Sequence, residues 1–223
     1  MSIRLLAAFL AILAAHPALA QTAAPATLPS AAIDQSTPEG TLKLFFQAEA
    51  RSDGQTLRDV LLPSNHAEEI IIDAIADKND ADRELTTALR AKFPDPTRPD
   101  PRDEAELQLP AIFQKIDQSD QQITGDTATL KAAGPGGQPF TLKRVDGKWR
   151  IPLDVLFANV SPDLLRDQAH QIELQVTIMR SGAADVTAGK YATAADAIAD
   201  VKKEIFTAAL ADHAAATRAA TRP

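Results

Sequence analysis

The stretch Phe140-Thr-Leu-Lys-Arg-Val-Asp-Gly-Lys-Trp-Arg-Ile151 restricts the fold more than any other part of the chain. An Asp-Gly pair between alternating residues specifies a two-residue hairpin turn, because glycine tolerates the positive φ that such a turn needs. A turn at Asp146-Gly147 then sets the register: Val145 opposite Lys148, Arg144 opposite Trp149, Leu142 opposite Ile151 and Phe140 opposite Leu153. One face carries Phe140, Leu142, Arg144, Trp149, Ile151 and Leu153, the other Thr141, Lys143, Val145, Lys148, Arg150 and Pro152. The first face is expected to pack on a core and the second to meet water, so the basic run around the turn reads as a solvated sheet face.

A second hairpin is predicted about Gly125-Asp126, with Ile123, Ala128, Leu130 and Ala132 on one face. The Gly134-Pro-Gly-Gly-Gln138 stretch joins the two hairpins; lying between strands and lacking a following Lys-Ser or Lys-Thr, it reads as a turn and not as a phosphate loop. Upstream the periods are helical. Ser36 or Thr37 caps a first helix with Pro38 and Glu39 in its opening turn and Leu42, Phe45 and Phe46 on one face. A short helix follows Gly54, bearing Leu57, Val60, Leu61 and Leu62 and ended by Pro63. Asn65 and Glu68 resemble a capping box for a helix through residue 93, with Ile71, Ile75, Leu85 and Leu89 in its stripe. The polar run Asp77 to Asp82 is expected to split that helix, and prolines 94, 96, 99 and 101 predict an exposed loop over residues 94–104.

Beyond residue 160 the pattern returns to helices. Ser161-Pro162-Asp163 starts one that is expected to end at Gly182, with Leu165, Ala169, Ile172, Val176 and Met179 in a stripe. Tyr191, Ala194, Ile198, Val201, Ile205 and Ala209 mark another, so residues 160–213 form an αα-hairpin and 214–223 a disordered tail. Leu174, Ile178, Phe206 and Leu210 lie outside these stripes, which predicts helices buried on two sides, by a groove or by a partner chain.

The first twenty residues speak to compartment. Arg4, the apolar run Leu5 to Ala15 and the Ala18-Leu19-Ala20 site predict a signal peptide over residues 1–20, cleaved between Ala20 and Gln21, and the run is shorter than the roughly 20 residues that span a bilayer. The product is expected to be periplasmic or extracellular and not membrane-spanning. Loss of Arg4 leaves 22 of the 23 Lys and Arg against 30 Asp and Glu, a formal charge of −8 that disfavours nucleic acid. No cysteine is present, so neither disulfides nor thiol chemistry enter. Residues 21–35, rich in Ala, Pro and Thr, read as a flexible leader.

Helices first, then a meander containing Gly125-Asp126-Thr127-Ala128-Thr129-Leu130 and Phe140 to Ile151, with Pro38-Glu39 and Phe45-Phe46 in the first helix, resemble the nuclear transport factor 2 like superfamily. More narrowly, the chain resembles its small secreted bacterial members of unknown function. The resemblance covers residues 36–153 and implies a cone-shaped α+β domain: N-terminal helices packed on a curved antiparallel sheet, here followed by a C-terminal helical hairpin. Enzymes of that superfamily, such as ketosteroid isomerases, hold a carboxylate base and a proton donor inside the cone.

Two polar residues fall on faces that should be apolar. Glu49 extends the face of Leu42, Phe45 and Phe46, and Arg144 stands among the core-facing residues of its hairpin. They are the catalytic candidates, with Phe45, Leu142 and Trp149 as pocket candidates; the alternatives are that Glu49 turns to solvent or pairs with Arg144, and that Arg144 stacks on Trp149. His66 near Glu69 and His170 among Arg166, Glu173, Thr177 and Arg180 read as surface, and His213 falls near the chain's end, so no metal site is expected. No cofactor motif appears. The sequence therefore predicts an exported, non-enzymatic binding or protein-interaction module with an unidentified protein partner, a homodimer being one version. The alternative is a binder of a small apolar ligand, or a cofactor-free isomerase or hydratase, using a polar pocket in the cone.

Overall fold

A computed structural model of the chain describes residues 33–94, 101–131, 138–157 and 160–220. The signal segment, most of the leader, the proline run at 96 and 99 and the Gly134 to Gly137 link lie outside these residues. Thr37, whose side chain accepts the Gly40 N–H, caps α1 (Pro38–Arg51), with Pro38 in the first turn as expected. Ser52 ends it in the left-handed region. Asp53 then caps α2 (Gly54–Val60), which runs directly into β1 (Leu61–Leu62). At Asn65 the side chain accepts the Glu68 N–H while Glu68 reaches back to the Ser64 N–H, and α3 (His66–Lys92) begins.

Helix α3 is continuous through the polar run that was expected to split it. Arg58 of α2 spans Asp73, Asp77 and Asp80, Arg83 adds a second contact to Asp80, and Asp80 accepts the N–H of Gly54. The run is thus neutralised by Arg58 from another helix and Arg83 from its own, and Ala76 just before it and Ala81 within it are fully buried. Gly54 permits the approach: a Cβ there would stand 2.2 Å from the Ala76 carbonyl oxygen.

A second departure is α4 (Pro101–Asp117), which takes residues 101–104 out of the expected loop. Pro101 is tolerated because the first turn makes no hydrogen bond through its nitrogen, and Asp103 and Glu104 suit the positive end of the dipole. Leu109 and Ile116 face inward, with Ile112 and Phe113 packed against the core.

The strands follow: β2 (Gln121–Thr124), β3 (Thr127–Leu130), β4 (Phe140–Val145) and β5 (Lys148–Pro152), in the order β1-β5-β4-β3-β2. The sheet is mixed, because β1 pairs parallel to β5 while the other pairs are antiparallel. Arg144 faces Trp149 and Val145 faces Lys148, the register set by the Asp146-Gly147 turn, where both residues have positive φ. Phe140, Leu142, Trp149 and Ile151 are buried and Lys143 and Lys148 exposed, as expected, but Arg144 of the core-facing set is exposed beside the turn and Pro152 of the other set is buried where the chain leaves the sheet. Leu153 does not pair with Phe140; the chain leaves the sheet at Pro152 and enters α5 (Leu153–Leu156), in which Leu153 is buried. Ile123 is opposite Ala128 yet half-exposed, because β2 is the sheet edge and little covers it.

Two 27-residue helices complete the chain, α6 (Pro162–Ala188) and α7 (Ala194–Ala220). Ser161 caps α6 through the Leu164 N–H. Gly182 does not end it: the helix continues to a left-handed Gly189, and Gly182 instead gives α7 room, since a Cβ at 182 would lie 2.4 Å from Val201 Cγ2. At the corner Lys190 Nζ sits 2.7 Å from Asp185, a hydrogen bond that raises its pKa, and Tyr191 donates to Asp200 at 2.8 Å. Helix α7 runs on to Ala220, past the expected end at 213.

Helix α1 lies on the core face of the sheet, where Thr41 Oγ1 donates to the Trp149 carbonyl at 3.2 Å. The main partner of α6 is α3, and α7 stacks on α6. One apolar core nevertheless runs from Leu42, Leu142 and Trp149 through Leu57 and Ile71 to Leu165, Ile172 and Met179. The α+β class stands, with helices before the sheet and a helical pair after it.

Candidate functional site

Glu49 lies in the last turn of α1, one turn beyond Phe45. It is half-buried, and burial pushes its carboxyl above the usual carboxylate range, while Lys78 of α3 pulls in the opposite direction. Desolvation of that kind is what a general base uses, provided a substrate reaches it. Arg144 is not its partner. The Arg144 Nε donates to Asp126 Oδ1 at 2.9 Å, and the guanidinium stands 5.3 Å from the centre of the Trp149 ring. The stacked alternative is therefore the one the fold adopts for Arg144, which braces the Gly125-Asp126 turn against the neighbouring hairpin.

The pocket candidates share one place, and it is the core. Phe45, Leu142 and Trp149 are each at most 3% exposed and belong to the continuous apolar cluster. Phe45 packs edge to face on Phe46 at 5.4 Å between ring centres. These side chains are mutually covered, so the surface they present is taken up by protein.

Comparison with protein-family models, curated proteins and solved structures finds no match.

His66 is exposed, 3.2 Å from Glu69, and His170 is exposed on α6 with its Nε2 3.5 Å from Asp212 of α7. Arg166, Glu173, Thr177 and Arg180 on the same face of α6 are also exposed, and Arg180 reaches Asp77 and Glu84 of α3. These contacts clamp α6 between its neighbours. The side chain of His213 lies outside the described residues. Among the described residues no cluster of three His, Cys, Asp or Glu is arranged to hold a metal, and no helix is long and apolar enough to cross a membrane.

The surface feature that stands out is on α7. Its inner face supplies Ala197 and Val201 to the core, with Ile205 packed alongside. Phe206 is 65% and Leu210 55% exposed, one helical turn apart on the outer face. Of the two ways expected to cover these residues, a groove in the chain is not the one found: α6 covers one side of α7, and among the described residues none covers Phe206 and Leu210 on the other. A third exposed apolar side chain, Leu107 on α4, is 79% exposed, in a segment whose helical period is hard to see from sequence because Pro110 interrupts it. Its signal is the Asp103-Glu104-x-x-Leu107 spacing, which a helix starting at Pro101 turns into one surface patch.

Proposed function

We propose that the chain is an exported protein-interaction module of the nuclear transport factor 2 like kind, whose working surface is the outer face of α7. The observation that carries this is the exposed Phe206–Leu210 pair, set against a core in which Phe45, Leu142 and Trp149 are closed off. Exposed apolar side chains one turn apart on a helix that is already anchored by its inner face are the arrangement of a helix-mediated contact. The sheet and α1 to α3 act as scaffold in this reading. Export rests on Arg4, the apolar run and Ala18-Leu19-Ala20, and the family assignment on the two hairpins and the capped first helix.

A photo-crosslinking residue in place of Phe206, in protein expressed with its own leader, tests the reading. Covalent adducts are expected in the envelope or secreted fraction, and the same residue in place of the exposed Glu173 serves as the control that forms none. Absence of any adduct from position 206 removes α7 as an interaction surface.

One observation favours a second reading. The desolvated Glu49 carboxyl is the kind of group that a small-molecule isomerase or hydratase uses. That reading requires Phe45 and Trp149 to part and admit a ligand. Acrylamide quenching of Trp149, the only tryptophan, measures it directly. A core tryptophan is expected to be quenched weakly, and quenching as strong as that of free tryptophan would favour the open cone.

A further inference from the structure

Leu107 and Phe206 are the two most exposed large apolar side chains among the described residues, at 79% and 65%. Each sits on a helix, and each is preceded by two like charges at the same spacing. Asp103 and Glu104 stand four and three residues before Leu107 on α4, and Lys202 and Lys203 stand four and three residues before Phe206 on α7. On a helix those positions straddle the face of the residue they precede. All four charged residues are exposed.

We propose that the outer face of α7 docks on α4 of a second copy of this chain, with Phe206 against Leu107 and Lys202 and Lys203 against Asp103 and Glu104. The proposal rests on the interaction-module reading and names the partner. A side-by-side parallel alignment of the two helices brings apolar against apolar and basic against acidic in a single register. One turn further on, Leu210 meets the exposed Ala111, which stands four residues beyond Leu107. Parallel pairing of α7 with α7, or of α4 with α4, sets like charges against each other in that register, which is unfavourable. The charge pattern therefore selects the unlike pair of helices. Two copies that satisfy the contact reciprocally form a closed isologous pair, and copies that satisfy it only one way assemble head to tail.

The test is the mass of the purified protein by light scattering or sedimentation across concentration and salt. Self-association is expected, and it is expected to weaken as salt rises, since the charged rim is solvent-exposed. K202E/K203E and D103K/E104K should each weaken association by about tenfold or more. All four changes in one chain restore the opposite signs and should bring association back to within about threefold of the starting protein. Thermal melts of every variant by circular dichroism guard against loss of fold. A protein that stays monomeric at every concentration overturns the proposal, as do reversals without effect or a quadruple variant that fails to recover while still folded. If the purified chain is monomeric yet position 206 crosslinks to a different protein, self-docking is lost and the interaction-module reading survives. If no adduct forms at all, the underlying reading fails.

Discussion

Helices α6 and α7 follow one another in the chain and have the same length, yet they stand in opposite relations to the fold. Helix α6 gives Leu165, Ala169, Ile172, Val176, Met179, Ala183 and Val186 to the interior, and is tied to α3 by Arg180 and to α7 through His170 and Gln171. Helix α7 gives Ala197 and Val201 from one face and leaves Phe206 and Leu210 in water. Apolar content alone does not separate the two; what separates them is how many of their faces the rest of the chain covers. An element covered on several sides holds the fold, and one covered on a single side is free to do something else.

The same chemical insult should therefore have unequal effects on the two helices. Ile172→Asp places a carboxylate at a position 2% exposed, and an unpaired buried charge costs about 4 kcal/mol or more. That is a large part of the ~5–15 kcal/mol by which domains are stable, so the variant should be unfolded or close to it at ambient temperature. Circular dichroism during heating checks this. A cooperative melt within a few degrees of the parent would mean that α6 is an appendage, and the comparison would collapse.

A subtler probe lies where the two helices touch. Gly182→Ala adds a Cβ that would fall 2.4 Å from Val201 Cγ2, and the stiff valine cannot swing away without moving α7. Overpacking costs about 1–3 kcal/mol, against roughly 1 kcal/mol gained from replacing glycine in a helix. A net loss is expected. In a Val201→Ala background the clash is gone and only the helix gain remains, so Gly182→Ala should turn neutral or stabilising there. Equal effects in both backgrounds would mean that α7 does not lie against Gly182.

Gly182 also illustrates where the sequence is legible. Glycine after an apolar stripe reads as a helix end, because the usual reason for it is a left-handed cap. The glycine that takes this role is 189 and not the expected 182; at 182 the glycine serves a close helix crossing, which no local pattern reveals. The run at 77–82 fails in the same way, since its helicity depends on Arg58 and the Gly54 N–H, partners distant in sequence. Where the information is local, the reading survives: Thr37, Asn65 and Ser161 cap helices, and Asp146-Gly147 sets the 144–149 pairing. For the candidate site, sequence located Glu49, Arg144 and Trp149 on their faces and even offered Arg144 stacked on Trp149. It left open what Arg144 meets, because Asp126 reaches it only across β3 and β4. That Phe206 and Leu210 lie off the stripe was visible from spacing; that they stay exposed depends on what packs beside α7.

Glu49 sharpens the comparison from the side of the core. Its carboxyl pKa is raised by burial in the folded chain, so between the unfolded and folded pKa values the folded state holds more protons. Stability at this residue therefore falls as pH rises through that window, and the charged form is unfavourable above it. Glu49→Gln should melt higher than the parent at neutral pH, with the gain shrinking as pH is lowered through the raised pKa. A lower melting temperature at neutral pH would mean that the charged carboxylate is held by a favourable partner, and the second reading would lose the desolvated base it rests on.

The smallest effect on stability is expected on α7, and there it matters most for function. Phe206→Asp removes an aromatic ring that is already 65% exposed, so little buried contact is lost. Substitutions at such positions stay within about 0.5 kcal/mol, and the melt should be almost unchanged. Self-association should nevertheless fall, because the ring is the apolar centre of the proposed contact and the new carboxylate is set against Leu107, one turn from Asp103 and Glu104 of the second copy. Stability and association thus respond in opposite orders on the two helices: Ile172 governs folding, and Phe206 governs contact. If Phe206→Asp destabilises the monomer as Ile172→Asp does, α7 has a covered outer face after all. If it leaves both melt and association untouched, the exposed pair on α7 is without consequence and the partner surface must be sought elsewhere on the chain.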